Sequence, residues 1–267
     1  MNTLDMFSLK GKVALITGGR TMYGKGCSIA LVDAGAKLYL ASHSVDAARK
    51  TAKELSSRGS EEVEVIEFHQ EDPKSIKNMV DYVVEKEGRI DIFVNCSRVI
   101  PRGEGRGWFQ DEGALEWSVR VNSAGMLYMN MLVGEQMIRQ RSGSIINFGS
   151  MMGLVGVEKH NYDGEPAMAE GAHSHDYALN KSGIIAWTRH AASYYGRYGV
   201  RVNTLCPGGL ASDRTPARFS KNYGKHTQLG RLANEYDIRG PLLFLASDAS
   251  AYITGVSIPV DGGYTCI

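Results

Sequence analysis

The sequence has few cysteines, almost no net charge and no long hydrophobic run. Its four cysteines contain no Cys-x-x-Cys pair, which argues against a disulfide frame or a zinc site and predicts reduced thiols. The formal net charge is +1, so neither nucleic acid nor a membrane surface is a favoured partner. No segment is long and apolar enough to cross a bilayer, and the opening "MNTLDMFSLKGK" does not resemble a signal peptide. We therefore expect a cytoplasmic protein with a small-molecule partner.

Short β-branched segments alternate with longer amphipathic ones along the chain. The predicted strands are 12–17, 36–42, 62–68, 89–95, 142–149, 200–206 and 255–261. The predicted helices are about 24–34, 46–58, 72–88, a long region ending near 141, 177–198 and 235–247. The stretches 151–176 and 207–232 are predicted as loops. This alternation predicts an α/β fold, a doubly wound parallel sheet of about seven strands with helices on both faces. No composition break divides the chain, so we expect one domain, 1–267.

A glycine-rich turn, "TGGRTMYGKG" at 17–26, follows the first predicted strand. Main-chain N–H groups at such a strand-to-helix turn can hold a pyrophosphate, and glycines let the backbone approach it closely. Gly18, Gly19, Gly24 and Gly26 meet most of this need, but Met22 occupies a position where glycine is usual. Taken alone, the segment is also compatible with a plain structural turn.

A second motif, "YALNK", places Tyr177 and Lys181 four residues apart on a predicted helix. At this spacing the phenol and the ammonium lie on one face. A nearby cation favours the phenolate, so the pair could pass a proton to or from a substrate oxygen. Taken alone, such a pair is more often an ordinary helix surface pair.

Taken together, these motifs resemble the classical short-chain dehydrogenases/reductases over essentially the whole chain. The segments that carry the resemblance are "TGGRTMYGKGCSIALVDAGA", "DIFVN", "WSVRVNSAG", "GSIINFGS", "YALNK", "GVRVNTLCPGG" and "LFLASDASAYITGVSIPVDGGY". It implies a Rossmann-type fold and an NAD(P)-dependent reaction between a secondary alcohol and a ketone.

The resemblance also implies catalytic roles. Tyr177 would be the general acid/base, and Lys181 would favour its phenolate and bond the nicotinamide ribose. Ser150 would hold the substrate oxygen, and Asn122 would keep a water-linked proton path beside Lys181. The alternatives are a strand-end cap for Ser150 and a helix amide that bonds the backbone for Asn122.

The same comparison implies a set of cofactor-binding positions. They are Gly18, Arg20, Met22, Tyr23, Gly24, Ser42, His43, Asn95, Tyr177, Lys181, Pro207, Gly208 and Ser212. An acidic residue at the end of the second strand would bond the ribose of NAD and repel a 2′-phosphate. Ser42 and His43 stand there instead, and Arg20 could meet a phosphate, so NADP(H) is favoured and NAD(H) remains the alternative. Ser42 and His43 could also be a polar strand end without a role.

The chain departs from the family pattern on the cofactor side. Besides Met22, the family's Asn-Asn-Ala-Gly is "NCSR", which keeps only Asn95, and the acidic residue expected near the adenine is His69. None of these changes touches the four predicted catalytic residues. We therefore expect an adjusted pose or affinity of the cofactor.

An insert at about 153–176 lengthens the gap between Ser150 and Tyr177. A long loop beside catalytic groups is usually functional or disordered, and its polar residues suit a sugar, polyol or sugar acid. His160, His173, His175 and Asp176 raise the question of a metal, but polar loop residues are the preferred interpretation, and we expect no metal. Arg102 and Arg106 could meet an anionic substrate group, although a solvated loop is favoured.

The leading hypothesis is therefore an NAD(P)-dependent oxidoreductase. The alternatives are a non-catalytic dinucleotide-binding or scaffold protein on the same fold and an enoyl reductase, whose Tyr–Lys spacing usually differs. The resemblance also implies a homo-oligomer, a tetramer or a dimer, and the apolar segments "GIIAWTRHAASYY" and "LLFLAS" fit that expectation.

Overall fold

Seven parallel strands form a single sheet in the computed structural model, which describes residues 2–59, 62–100, 111–172 and 174–267. The strands are β1 Val13–Thr17, β2 Lys37–Ser42, β3 Glu64–Glu67, β4 Ile92–Asn95, β5 Gly143–Phe148, β6 Val200–Pro207 and β7 Ser257–Val260. Their order is β3-β2-β1-β4-β5-β6-β7, and every neighbouring pair is parallel. The strand order changes direction between β1 and β4, which confirms the predicted doubly wound sheet.

Helices connect the strands. They are α1 Met22–Asp33, α2 Val45–Ser56, α3 Pro73–Glu87, α4 Glu112–Ser118, α5 Met126–Gln140, α6 Pro166–Ala172, α7 His175–Tyr195, α8 Ala217–Gly224 and α9 Arg239–Ala246. A π-helical segment, Val119–Gly125, joins α4 to α5. Such segments are frequent at functional sites.

Two of these helices, α6 and α8, correct the sequence prediction, which assigned loops to both places. Each is short, at seven and eight residues, so an apolar period has little length in which to show. In α8 the apolar face consists of Phe219 and Tyr223, spaced i,i+4 and buried. The helix boundaries also differ: α7 begins at His175, before Tyr177, and α9 begins at Arg239.

Each face of the sheet is covered by a separate apolar layer. In β1 all five residues are buried, as expected for a parallel strand with helices on both faces. Ala14 and Ile16 pack in the layer with α1, α2 and α9, whereas Val13 and Leu15 pack in the layer with α3, α5 and α7. The carboxyl ends of β1, β4, β5 and β6 therefore meet at one edge, which is where doubly wound sheets bind ligands. No helix among the described residues is long and apolar enough to cross a membrane.

Candidate active site

The glycine turn packs the start of α1 tightly against the end of β1. Gly18 has a φ of +71°, and a Cβ there would lie 2.9 Å from the main chain of Cys96. A Cβ on Gly24 would lie only 2.1 Å from the carbonyl oxygen of Gly18. Both positions therefore need glycine, and the closeness they allow forms a cradle at a helix N-terminus that fits a pyrophosphate.

Met22 has a backbone conformation that residues other than glycine rarely adopt. Its φ is +54°, in the left-handed region that costs an L-residue about 1–2 kcal/mol. Its side chain is 56% exposed. The turn therefore holds a non-glycine residue in a conformation that favours glycine, and the methionine side chain extends from the turn toward solvent.

Tyr23 links the glycine turn to the end of β6. Its ring is buried, and its hydroxyl donates a hydrogen bond of 3.1 Å to the carbonyl oxygen of Gly208. Burial raises the pKa of Tyr23, so the hydroxyl keeps the proton that it donates. The structure thus joins two of the predicted cofactor positions directly.

The end of β2 carries no carboxylate. The Ser42 hydroxyl accepts a hydrogen bond of 3.1 Å from the main-chain N–H of Ser44, and His43 is exposed. Arg20 is partly buried and forms no ion pair with the part of the chain that the structure describes. The glycine turn therefore carries a cation that has no ion-pair partner among the described residues.

His69, which replaces the acidic residue expected near the adenine, pairs with two acidic neighbours. Its Nε2 lies 3.1 Å from Glu67, and its Nδ1 lies 3.6 Å from Glu71. The hydrogen bond to Glu67 is the main cause that raises the pKa of His69. Negative charge is thus present close to this position, although His69 itself is basic.

The segment "NCSR" after β4 is held by a polar network. Asn95 is buried, and its amide lies 3.4 Å from both the Thr17 hydroxyl and the Met126 carbonyl oxygen. Ser97 donates a hydrogen bond of 2.6 Å to Gln70, which in turn donates to the carbonyl of Val121 at 3.0 Å. The network ties the ends of β1 and β4 to the π-helical segment, so the changed motif still supports the sheet edge.

Ser150 and Lys181 meet at the end of β5. The Lys181 ammonium donates a hydrogen bond of 2.6 Å to the carbonyl of Phe148. Burial is the main cause that lowers the pKa of Lys181 to about 8. Ser150 is buried, and its hydroxyl accepts a hydrogen bond of 3.1 Å from the N–H of Met152, which caps the 3₁₀ turn Met151–Gly153 after β5. That bond leaves the hydroxyl proton available to a substrate oxygen.

Two cations lie at the Tyr177 ring. The Lys181 ammonium is 5.8 Å from the ring centroid, as the helix spacing predicted. The guanidinium carbon of Arg98 is closer, at 4.5 Å. Arg98 was not among the predicted site residues. The available signal was a basic residue at the position where the family pattern has glycine.

Asn122 lies in the π-helical segment and binds the main chain of the loop after β4. Its side-chain amide donates a hydrogen bond of 2.8 Å to the carbonyl of Val99 and accepts one of 2.9 Å from the N–H of the same residue. It also lies 3.0 Å from the Ser118 hydroxyl. This matches the alternative of a backbone-binding amide, and the proton path beside Lys181 stays a prediction.

The end of β6 carries the remaining predicted cofactor positions. Pro207 ends the strand, and a Cβ on Gly208 would lie 2.9 Å from the Tyr223 hydroxyl. Ser212 is exposed, and its hydroxyl lies 3.0 Å from that of Thr215. A cavity of about 230 Å³ borders Gly208, but none of the four predicted catalytic residues lines it.

The insert at 153–176 packs on α8 and the C-terminal segment. Asn161 is buried, and its side-chain oxygen is hydrogen-bonded to Nδ1 of His226 at 2.7 Å. Its side-chain nitrogen donates a hydrogen bond of 2.8 Å to the Tyr264 hydroxyl. The ring centroids of Tyr162 and Phe219 lie 5.3 Å apart. Residues 159–162 form a 3₁₀ turn before α6. The insert is therefore anchored on both polar and aromatic contacts beside α7, which carries Tyr177.

Several predicted features concern residues that the structure does not describe. Arg102, Arg106 and His173 lie outside the described residues. Within the described ranges, no three or more His, Cys, Asp or Glu side chains are grouped to hold a metal. His160 instead pairs with Asp163 at 3.3 Å.

A doubly wound parallel sheet with a tight glycine turn between its first strand and first helix is typical of dinucleotide-binding α/β enzymes. A family model described as enoyl-(acyl carrier protein) reductase matches residues 23–265. The chain belongs to the short-chain dehydrogenase/reductase family and is an NAD(P)-dependent enzyme acting on CH–OH groups, which confirms the resemblance and the reaction predicted from it.

Relatives cover the whole chain but differ in substrate. The chain is 32% identical to the L-rhamnose-1-dehydrogenase of Scheffersomyces stipitis over 96% of each chain. It is 31% identical to the 3-oxoacyl-[acyl-carrier-protein] reductase of Thermotoga maritima, with 96% of this chain and 98% of that one covered. A gluconate 5-dehydrogenase from Burkholderia cenocepacia, solved with NADP and tartrate, superposes with a TM-score of 0.85 at 26% identity over 100% of both chains.

Proposed function

We propose that this enzyme interconverts a secondary alcohol and a ketone on a polar substrate, a sugar, polyol or sugar acid, with Tyr177 as general acid/base. The observation that carries the proposal is the Tyr177 ring with two cations near it, Arg98 and Lys181, at the sheet edge that also holds Ser150 and the glycine turn. The named activities of the rhamnose and gluconate dehydrogenases support a hydroxylated substrate.

The residues fit a nicotinamide dinucleotide because Gly18 and Gly24 leave a cradle that a Cβ would fill. The bound cofactor supplies or accepts the hydride. The Tyr177 hydroxyl gives its proton to the substrate oxygen in reduction and takes it back in oxidation. Ser150 donates a hydrogen bond to the same oxygen, and Lys181 favours the phenolate from one side. The polar insert would cover the substrate.

The catalytic role is tested with Tyr177→Phe in a panel of sugars, polyols and sugar acids, with 3-oxoacyl thioesters and enoyl thioesters as contrasting substrates. We expect turnover on the hydroxylated panel and a loss of about 10²-fold or more in kcat for the variant, the usual contribution of a general acid/base. Turnover by Tyr177→Phe at the wild-type rate would refute the role of Tyr177 as general acid/base. No turnover of any substrate by the wild type would support the non-catalytic alternative, and exclusive turnover of thioesters would refute the substrate class.

We further propose that NADP(H) is the preferred cofactor. Arg20 has no carboxylate partner among the described residues, and the end of β2 offers Ser42 and His43 in place of an acid. A guanidinium suits a 2′-phosphate. Arg20→Ala should raise KM for NADPH about tenfold while KM for NADH stays within about twofold. Arg49→Ala, at an exposed arginine on α2, is the matched control, and a strong NADH preference of the wild type would overturn this assignment.

We also propose a single-domain, cytoplasmic homo-oligomer, a dimer or a tetramer. One continuous sheet supports a single domain, and four free cysteines support a reducing compartment. Met131 on α5 and Leu179 on α7 are each 57% exposed, which supports subunit contacts through these helices. Light scattering after gel filtration tests the oligomer, and a single unfolding transition in urea would support one domain. Cell fractionation tests the cytoplasmic location.

A further inference from the structure

Arg98 occupies an unusual place for a residue of the loop after β4. Its guanidinium lies over the Tyr177 ring at 4.5 Å, within the distance at which a cation interacts with an aromatic face. The side chain is only 29% exposed, and it lies 3.7 Å from the carboxylate of Asp176, which is 1% exposed. Arg98 is therefore enclosed between Tyr177 and its chain neighbour.

The structure holds Arg98 in this place from two sides. Asn122 binds both main-chain groups of Val99, the next residue in the chain. Ser118 donates a hydrogen bond of 2.5 Å to the same carboxylate oxygen of Asp176 that faces Arg98. Hydrogen bonds thus run from Asn122 through Ser118 to Asp176, and the last step, from Asp176 to the guanidinium, is an ion pair of 3.7 Å. The stacking therefore does not depend on a freely rotating surface side chain.

The guanidinium is not fully satisfied by these contacts. Its Nε is buried and has no hydrogen-bond partner among the described residues. The Asp176 carboxylate is shared, since Ser118 and Ser174 also donate to it. Positive charge of Arg98 is therefore left to interact with the Tyr177 ring and with any negative charge that develops on its oxygen.

Lys181, the other cation that lies near the Tyr177 ring, does not supply a permanent charge. Burial lowers the pKa of Lys181 to about 8, so its ammonium loses its proton as the pH rises through that value. Burial raises the pKa of Cys96 and of Tyr162 to about 12 and also raises that of Tyr23, so these three stay neutral. A guanidinium, in contrast, stays protonated throughout the working range of proteins.

We propose that Arg98 is a positioning residue for the catalytic tyrosine: its guanidinium fixes the orientation of the Tyr177 ring and stabilises the phenolate, adding to the effect of Lys181. The inference rests on the proposed role of Tyr177 as general acid/base. It assigns a function to the arginine at the fourth position of "NCSR", where the family's Asn-Asn-Ala-Gly pattern has glycine.

The first test follows the ionisation of Tyr177 without any substrate. Tyrosinate absorbance is recorded against pH, and the signal of Tyr177 is the difference between a protein and its Tyr177→Phe variant. Arg98→Met should move the midpoint upward, because the variant loses the cation that lies over the ring. Arg98→Lys should recover at least half of the shift, and the exposed control Arg49→Met should leave the midpoint unchanged.

The second test uses turnover of an accepted alcohol. In a plot of kcat against pH, Arg98→Met should move the midpoint of the rise in the same direction. At pH values below the wild-type midpoint, kcat should fall by about tenfold, and KM for the alcohol should change by less than about threefold. Arg98→Gln serves as a second uncharged variant if Arg98→Met does not fold. A purely structural role would lower stability and leave both pH midpoints in place.

The outcomes separate this inference from the proposed function. A shifted Tyr177 midpoint without turnover of any substrate would support Arg98 and refute the proposed function. Turnover with unshifted midpoints in both uncharged variants would refute the role of Arg98 alone. A Tyr177 signal that does not appear below the pH at which the wild type unfolds would also overturn the inference, since the phenolate would then not be stabilised.

Discussion

Replacing Met22 with glycine should tighten the binding of NADPH. The main chain already has the left-handed conformation that glycine adopts, with a φ of +54°, so Met22→Gly keeps the path of the loop. The change removes a flexible, 56% exposed side chain from the rim of the phosphate cradle. Immobilising such a side chain on binding costs about 0.5–1.5 kcal/mol, which corresponds to about 2- to 12-fold in Kd.

The same variant should be at least as stable as the wild type. Removing a left-handed methionine relieves about 1–2 kcal/mol, and the extra freedom of glycine in the unfolded chain offsets about 0.5–1 kcal/mol of this. The net gain of up to about 1.5 kcal/mol would raise Tm by a few degrees in a chain of this size. Kd from NADPH fluorescence and Tm from calorimetry measure the two effects separately.

Two control variants isolate the side chain from the backbone. Met22→Leu keeps both the bulk and the strain, so Kd and Tm should stay near the wild-type values. Arg141 has a φ of +59° at the end of α5, just before the amino end of β5 and away from the cradle, so Arg141→Gly relieves similar strain without changing Kd. An unchanged Kd in Met22→Gly, or an equal change in Arg141→Gly, would refute the reasoning.

Three further perturbations follow from the geometry. Gly24→Ala should abolish cofactor binding and lower Tm by roughly 2–10 °C, because its Cβ would lie 2.1 Å from the Gly18 carbonyl oxygen. The control Gly240→Ala, with open space around its Cβ, should preserve binding. Cofactor binding by Gly24→Ala would refute the assignment of the phosphate site to this turn. The pKa of Lys181 falls from 10.5 to about 8 on folding, so the unfolded chain holds this proton more tightly and the free energy of unfolding should rise between about pH 8 and 10. Lys181→Met should lose that rise in urea unfolding curves. The same dependence of the free energy of unfolding on pH in wild type and variant would refute this effect of Lys181. Asn161→Ala, which leaves two partners at the insert unpaired, should cost about 1–3 kcal/mol and raise KM for the substrate more than it lowers kcat, whereas a loss confined to kcat would argue against the insert as a substrate cover.

Local patterns predicted the regular elements well where they were long and strongly periodic. All seven strands and the connecting helices α1, α2, α3, α5 and α7 were expected close to where they lie. The helices α6 and α8 were missed because each has only about two turns. Their apolar side chains, such as Met168, Phe219 and Tyr223, pack in a small separate cluster rather than in the two layers on the sheet. Their formation depends on contacts with the C-terminal segment, which no local window contains.

The candidate site was predicted in part, and for a similar reason. The i,i+4 spacing of Tyr177 and Lys181 is a local property of one helix, so their proximity could be anticipated. Arg98 is distant from Tyr177 in the chain and meets it only because β4 ends at the same sheet edge as the strand before α7. The basic residue in "NCSR" was visible as a departure from the family pattern, but its target was not.

By itself, the sequence determined the α/β class, the dinucleotide turn, the family and the Tyr–Lys pair, because each depends on residue types at short, regular spacings. Only the tertiary structure decided that Met22 has a left-handed backbone, that Asn122 holds the loop after β4, and that Arg98 lies on the ring of Tyr177. These outcomes depend on which segments the sheet brings together and on the space left between them. Such distances arise from packing over the whole chain, and no short stretch of residues encodes them.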